Sequence, residues 1–243
     1  MAAPAHRPDV AAILSRLRAL GSARGVASMA RTGITGDGVM GAPMAAVRAE
    51  VRRHGTDHAL ALALWATGCH EARLVAAHAA DPARMTRTTL DAWVRAFDNW
   101  ALCDGVALHL FVRIPGIRAH LPRWAARPGE FERRAAAATI ACLAVHETAT
   151  DAERAADFPL LRDLALDPRP YVKKGVSWAL RNVGGRSRTL HAAALAEADA
   201  IAARGTPVAR WIARDVRRDL ERPVVLARIA RREAPAPRRA SRR

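Results

Sequence analysis

The chain has 243 residues and a mass of 26.2 kDa, enough for one large domain or two small ones with a sizeable core. Alanine supplies 57 positions and aromatic residues only 5%, with few β-branched runs, which favours helix and argues against a sandwich or barrel. Lys and Arg number 39 against 23 Asp and Glu, a formal charge of +16, far from the balance of an ordinary cytosolic enzyme, so a polyanionic partner is the first to consider. Only Lys173 and Lys174 are lysine. Such Arg- and Ala-rich usage is what a GC-biased coding sequence produces unaided, so the net charge carries more weight than the choice of residue.

Taken in chain order, a short helix over 10–19 is followed by a Gly-rich stretch, 22–42, that reads as a flexible, irregular connection. Pro43 sits where a first-turn proline belongs and opens a run to His54. Asp57 can cap a helix through Thr67, and after Gly68 a second runs over 69–80 until Asp81-Pro82 ends it. Helices follow over 86–97, 98–113, 122–127, 130–146, 151–165, 171–183, 187–203 and 207–220, parted by Pro115, Asp167-Pro168, Gly184-Gly185 and Gly205. No useful stretch alternates with period two, so the predicted fold is all-α. Basic residues near helix starts recur at Arg134, Lys174 and Arg210, forty and thirty-six residues apart. That spacing suits HEAT or armadillo helix pairs, which stack into a solenoid with one concave, here basic, face; a helical bundle with similar helix lengths is the alternative.

The predicted organisation is a repeat domain over 1–221 and a tail over 222–243. The Pro/Ala/Arg-rich tail reads as disordered; it holds eight arginines against Glu233, a charge of +7, and leaves +9 on the rest. Cys69, Cys103 and Cys142 are scattered singly, with no CxxC pair, so neither a zinc site nor a disulfide framework is expected and a reducing compartment fits. No apolar stretch reaches the eighteen or so residues that a membrane span needs, and no signal pattern opens the chain. A cytoplasmic protein is expected.

Three windows carry candidate chemistry. Trp100 and Asp104 are four apart, which puts an indole and a carboxylate on one helix face. Arg133 and Arg134 head an Ala-rich helix. Lys173 and Lys174 precede Trp178 and Arg181 on a third helix, where cations and an indole on one face can grip a phosphate and lie against a sugar or base. Taken singly, each window also reads as a core tryptophan beside a salt-bridged or solvated charge. His70-Glu71 and His146-Glu147 lack the second histidine of a zincin helix, Cys103 has no histidine partner on its face, and the glycines at 33, 36, 38 and 41 follow no strand.

From Met29 to Trp211 the chain resembles the DNA alkylation repair family of HEAT-like glycosylases, the AlkD type. The matching runs are Gly41-Ala-Pro-Met44 with Arg48, Trp65-Ala-Thr-Gly-Cys-His-Glu-Ala-Arg73, Phe97-Asp-Asn-Trp100 with Asp104, Arg133-Arg134-Ala, and Val172-Lys-Lys-Gly-Val-Ser-Trp178-Ala-Leu-Arg181. Thr32 stands where the family often has Tyr. The resemblance implies an enzyme, without cofactor or metal, that removes cationic N3- and N7-alkylated purines from duplex DNA. It implies Asp104 as the active-site carboxylate, Trp100 and Trp178 as the indoles around the lesion's deoxyribose, and Arg134 at the DNA backbone. Arg73, Arg133, Lys173, Lys174 and Arg181 join the expected DNA-binding set, and an open groove for duplex suggests a monomer. Such a sparse set suffices because an alkylated purine already carries positive charge and leaves readily; the protein need only stabilise the charge that moves onto the sugar. The rivals are a non-catalytic repeat protein that binds damaged or branched DNA and a helical scaffold for another protein.

Overall fold

A computed structural model describes residues 7–146 and 148–234. These residues are helical throughout, with no strand among them, in the HEAT-like helical-repeat class. The chain divides into two compact units, residues 1–139 and 140–243.

The first unit holds α1 (Arg7–Leu20), α2 (Ala23–Ala30), α3 (Met44–His54), α4 (His58–Ala66), α5 (His70–Ala79), α6 (Arg87–Arg95), α7 (Trp100–His109), α8 (Leu121–Ala125) and the start of α9 (Glu130–His146). Side-chain caps set several of the starts: Asp57 accepts from the Leu60 N–H, Thr86 from Thr89 and Asn99 from Leu102, each satisfying a donor that the first helical turn leaves open. A short turn through Gly68, with φ of +73°, folds α5 back along α4, and α5 packs in turn on α7. Their shared interior includes Leu60, Leu64, Val75, Leu102 and Val106, each at most 2% exposed. Burying such side chains contributes roughly 1.5–3 kcal/mol apiece.

Two predicted segments differ here. The stretch 22–42 is not irregular throughout: Ser22 caps α2, and only 31–43 is loop. Within α2, Gly25 serves close approach, since a Cβ there would lie 2.1 Å from the carbonyl oxygen of Gly41. Gly25→Ala sets a helix-propensity gain of about 1 kcal/mol against a clash with backbone that cannot rotate away, costing about 1–3 kcal/mol or more. Packing wins, and urea unfolding should show a net loss; an unchanged midpoint would contradict the close approach. The helix expected over 98–113 begins at Trp100 and ends at His109, because Leu110, at φ −122° and ψ −58°, turns the chain into a short 3-10 segment, Phe111–Arg113.

One histidine pair makes this unit acid-sensitive. The rings of His78 on α5 and His109 on α7 stack with centroids 3.8 Å apart, and the Arg113 guanidinium donates to the carbonyls of Ala77, His78 and Ala80. Burial first, then His109 and Arg113, push His78 from the ordinary 6.5 down to about 4. The unfolded chain therefore takes up the proton first, and stability is full above pH 6.5 and falls as the pH drops from 6.5 to about 4. The shift corresponds at face value to about 3 kcal/mol, and solvent screening of a half-buried ring reduces this to about 1–2 kcal/mol. Urea titrations across that window should show the loss, and His78→Gln should flatten it.

The second unit contains α10 (Asp151–Ala155), α11 (Phe158–Leu164), α12 (Pro170–Gly184), α13 (Arg188–Ala202), α14 (Pro207–Leu220) and α15 (Pro223–Glu233). The helix expected over 151–165 breaks in two, with Pro159, which lacks an N–H, in the first turn of α11. Helices α12, α13 and α14 pack on one another through Val176, Leu180, Ala194, Ile201, Ile212 and Val216, all fully buried. Ser177 donates to Asp215 at 2.6 Å, and Arg162 grips Glu197 with both prongs of its guanidinium.

The predicted disordered tail is corrected over 223–233. Val225 and Ile229, four apart and at most 3% exposed, give α15 one apolar face, and Arg188 holds Glu233 at 2.9 Å. A high Arg and Pro content masked that two-residue stripe. The rest of the predicted tail, 235–243, lies outside the described residues.

Candidate active site and nucleic-acid contacts

The side chains of the first unit converge on Asp104. Its helix, α7, starts at Trp100 under the Asn99 cap and is anchored by Leu102, Cys103, Val106 and Ala107, so the opposite face presents Trp100 and Asp104 together. Opposite Asp104, the head of α9 is fixed from below. Asp91 on α6 accepts from Arg123 at 2.6 Å and from the Trp124 indole at 2.9 Å and forms an ion pair with Arg127 at 3.1 Å, and Arg127 reaches on to Glu132 at 3.2 Å. Arg133 donates to the Ala125 carbonyl at 2.9 Å. Its neighbour Arg134 turns inward.

Arg134 donates from Nε to Asp104 Oδ1 at 2.9 Å and from Nη2 to Oδ2 at 2.6 Å. This two-pronged pair fixes both position and plane of the carboxylate. Arg134 is 6% exposed, so the expected backbone-contacting arginine is instead buried against the carboxylate. It is a positioning residue here. Burial pushes the Asp104 carboxyl above its ordinary value, and the Arg134 guanidinium opposes that rise through hydrogen bonding and charge. The Asp104 side chain remains 20% exposed.

Trp100 is held from the far side. Its indole N–H donates to the main-chain carbonyl of Thr32 at 2.8 Å, while the Thr32 hydroxyl turns back to Met29. The loop carrying Thr32 is itself tied down by Glu71, a residue that sequence reasoning left as one half of a bland polar pair. Glu71 is 1% exposed and accepts the N–H groups of Met40 and Ala42 at 3.0–3.2 Å. Gly38 seats the same loop on α5, accepting the His70 N–H at 2.9 Å. The signal for Glu71 in sequence is only its position among apolar residues at the head of a helix.

Arg73 does not join this cluster. Its guanidinium donates to the carbonyls of Trp65 and Ala96 and lies 5.1 Å from the Trp65 ring, which in turn stacks on Trp93 at 3.8 Å. It is a packing cation between helices.

On the second unit, α12 carries the remaining predicted residues. Trp178 is half-buried, and its indole N–H has no hydrogen-bond partner among the described residues. Lys173 lies over the Trp211 ring at 4.8 Å, and the exposed Lys174 is 5.7 Å from the Tyr171 ring. Arg181 stands 3.9 Å from both Asp215 and Asp219, which offsets much of its charge. The three cysteines are buried: Cys69 points at Glu71 and Cys103 at the Phe131 carbonyl. Among the described residues, no group of three or more His, Cys, Asp or Glu could hold a metal ion, and no helix is long and apolar enough to cross a membrane.

The described residues form a HEAT-like helical fold in which Arg134 orients a partly exposed carboxylate beside an anchored indole. The model of the DNA alkylation repair enzyme family matches residues 13–235, and the chain belongs to that family. A solved structure described as "A new family of proteins related to the HEAT-like repeat DNA glycosylases with affinity for branched DNA structures" is similar over 78% of this chain and 82% of its own. The two share 20% identity with a TM-score of 0.69, a likeness of fold. No curated protein matches the chain.

Proposed function

We propose that the protein is a DNA N-glycosylase that releases N3- and N7-alkylated purines from duplex DNA, working as a monomer without a cofactor. The observation that carries this reading is the Arg134–Asp104 pair, which holds a 20% exposed carboxylate by two hydrogen bonds on the helix face that also bears Trp100. As the glycosidic bond lengthens, positive charge grows on the deoxyribose and the neutral purine departs. Asp104 stabilises that charge and orients the attacking water, and Trp100 offers a ring face that favours a cationic sugar and excludes solvent. Arg133, Lys173, Lys174 and Arg181 supply charge for the backbone, while Arg73 is left out because it is 16% exposed and donates to the carbonyls of Trp65 and Ala96.

The test is release of 7-methylguanine and 3-methyladenine from methylated duplex by the wild-type protein and by Asp104→Asn. Equal release by the two overturns the role of Asp104. A second reading, non-catalytic binding of branched DNA, is favoured by the description of the structural relative. It would be supported if the wild type released no base yet bound four-way junctions more tightly than linear duplex.

A further inference from the structure

The second unit carries a concentration of like charge that the Asp104 chemistry does not use. Gly185 closes α12, and residues 185–187 turn the chain into α13. On one side of this turn, Ser187 donates to Asp151 at the head of α10, which brings up Arg154, three residues further along that helix and 7% exposed. On the other side, α15 lays Arg232 against the Gly185 carbonyl at 2.7 Å. Arg228 comes so near that a Cβ on Gly185 would lie 3.0 Å from its Nη2. Arg186 stands in the middle of the turn.

Part of this is ordinary capping, since cations at the C-terminus of α12 complement its dipole and Arg232 satisfies a terminal carbonyl. Arg186 and Arg154 go beyond that need. Burial, then the fields of Arg232, Arg154 and Arg228, lower the proton affinity of Arg186 below the ordinary arginine value, with Asp151 opposing. Of the nearby acids, Asp151 is engaged by Ser187 and stands 4.0 Å from Arg154, and Glu233 is engaged by Arg188. Among the described residues, no carboxylate lies within ion-pair distance of Arg186, Arg228 or Arg232. Holding such a group together costs self-repulsion that a bound anion would relieve.

We infer that the 185–187 turn, with Arg154, Arg186, Arg228 and Arg232, is a phosphodiester-binding site for the DNA backbone, one that holds the duplex and takes no part in cutting the glycosidic bond. Guanidinium forks match phosphate oxygens two at a time, which suits a backbone phosphate in this basic setting. The inference rests on the reading of the chain as a protein that binds duplex DNA.

The experiment uses the full chain, an undamaged duplex and the variants Arg186→Gln and Arg228→Gln; Arg232 is left in place because it holds Gly185. Each variant should lose about tenfold in duplex affinity near 0.1 M salt, with the slope of log K against log salt smaller by about 0.9 for each phosphate no longer neutralised. The unliganded variants should melt higher than the wild type at low salt, because a repelling charge is gone, the opposite of what a structural role produces. Single-turnover base release at saturating protein should be unchanged, so a failure of the glycosylase reading leaves these binding results standing. Unchanged affinity and slope overturn the site, as does a lower melting temperature in the variants. Absence of any duplex binding by the wild type overturns it together with the DNA reading. If inorganic phosphate raises the melting temperature of the wild type but not of Arg186→Gln, while duplex binding is the same in both, the turn takes a free anion and the DNA assignment falls.

Discussion

Asp104→Asn is expected to slow single-turnover release of 7-methylguanine by about 10²–10³-fold, or about 3–4 kcal/mol of transition-state stabilisation. Affinity for undamaged duplex should stay within about twofold, because a carboxylate facing an emerging cation adds little before the bond stretches. The amide retains an oxygen for Arg134 and nearly the same volume, so the loss is one of charge. It also leaves a buried guanidinium without its counter-ion, and some stability will go with it. Near-ultraviolet circular dichroism and the duplex affinity separate a folded, inactive variant from a disordered one. The pH profile supplies a second check. Only the ionised form of Asp104 can stabilise the sugar cation, and burial raises its carboxyl above the ordinary value. The wild-type rate should therefore fall on the acid side at a higher pH than an exposed aspartate would produce, and the residual rate of Asp104→Asn should lack that limb. A full rate in the variant would remove Asp104 from the chemistry.

Glu71→Ala should be the most damaging change outside the site. Its carboxylate is the acceptor for the Met40 and Ala42 N–H groups, and removal leaves both without it, at about 1–3 kcal/mol each. Loss of about 3–4 kcal/mol is expected in urea unfolding, a large share of a typical total of 5–15 kcal/mol. The damage should then travel. The freed loop carries Thr32, whose carbonyl orients Trp100, so base release should fall about tenfold even at temperatures where the variant stays folded. Glu71→Gln keeps one acceptor oxygen and should recover about half of the stability. Hydrogen exchange at Met40 and Ala42 reports the loop directly. If Glu71→Ala loses less than about 1 kcal/mol, water has replaced the carboxylate and this chain of support is wrong.

Several helix ends that a local cap or breaker sets were legible: Asp57, Thr86, Ser187 and Pro207 all stand where the structure begins a helix, although the Ser22 and Asn99 caps were missed. The grouping of Trp100 with Asp104 was legible for the same reason, since a four-residue spacing on a helix is local. What escaped were interactions between distant segments. The need for Gly25 depends on Gly41, which crosses it, and Arg134 reads as a phosphate ligand until Asp104, thirty residues earlier, is seen to occupy its fork. Glu71 and Arg73 sit next to apolar residues in sequence, which does not reveal that their partners are carbonyls and N–H groups 8–31 positions away. In α15 the obstacle was composition, because arginines outnumber the two apolar residues that dock it.

The bond from Trp100 to Thr32 has a consequence for how this site can change over time. The indole is held by a main-chain oxygen, a group every amino acid possesses, so the anchoring survives almost any substitution at position 32 that leaves the loop path intact. Thr32 uses its own hydroxyl only to brace itself against Met29. A position can thus be free to drift in identity while its backbone stays indispensable, and the mutable letter says little about whether the tryptophan next to it is still held in place.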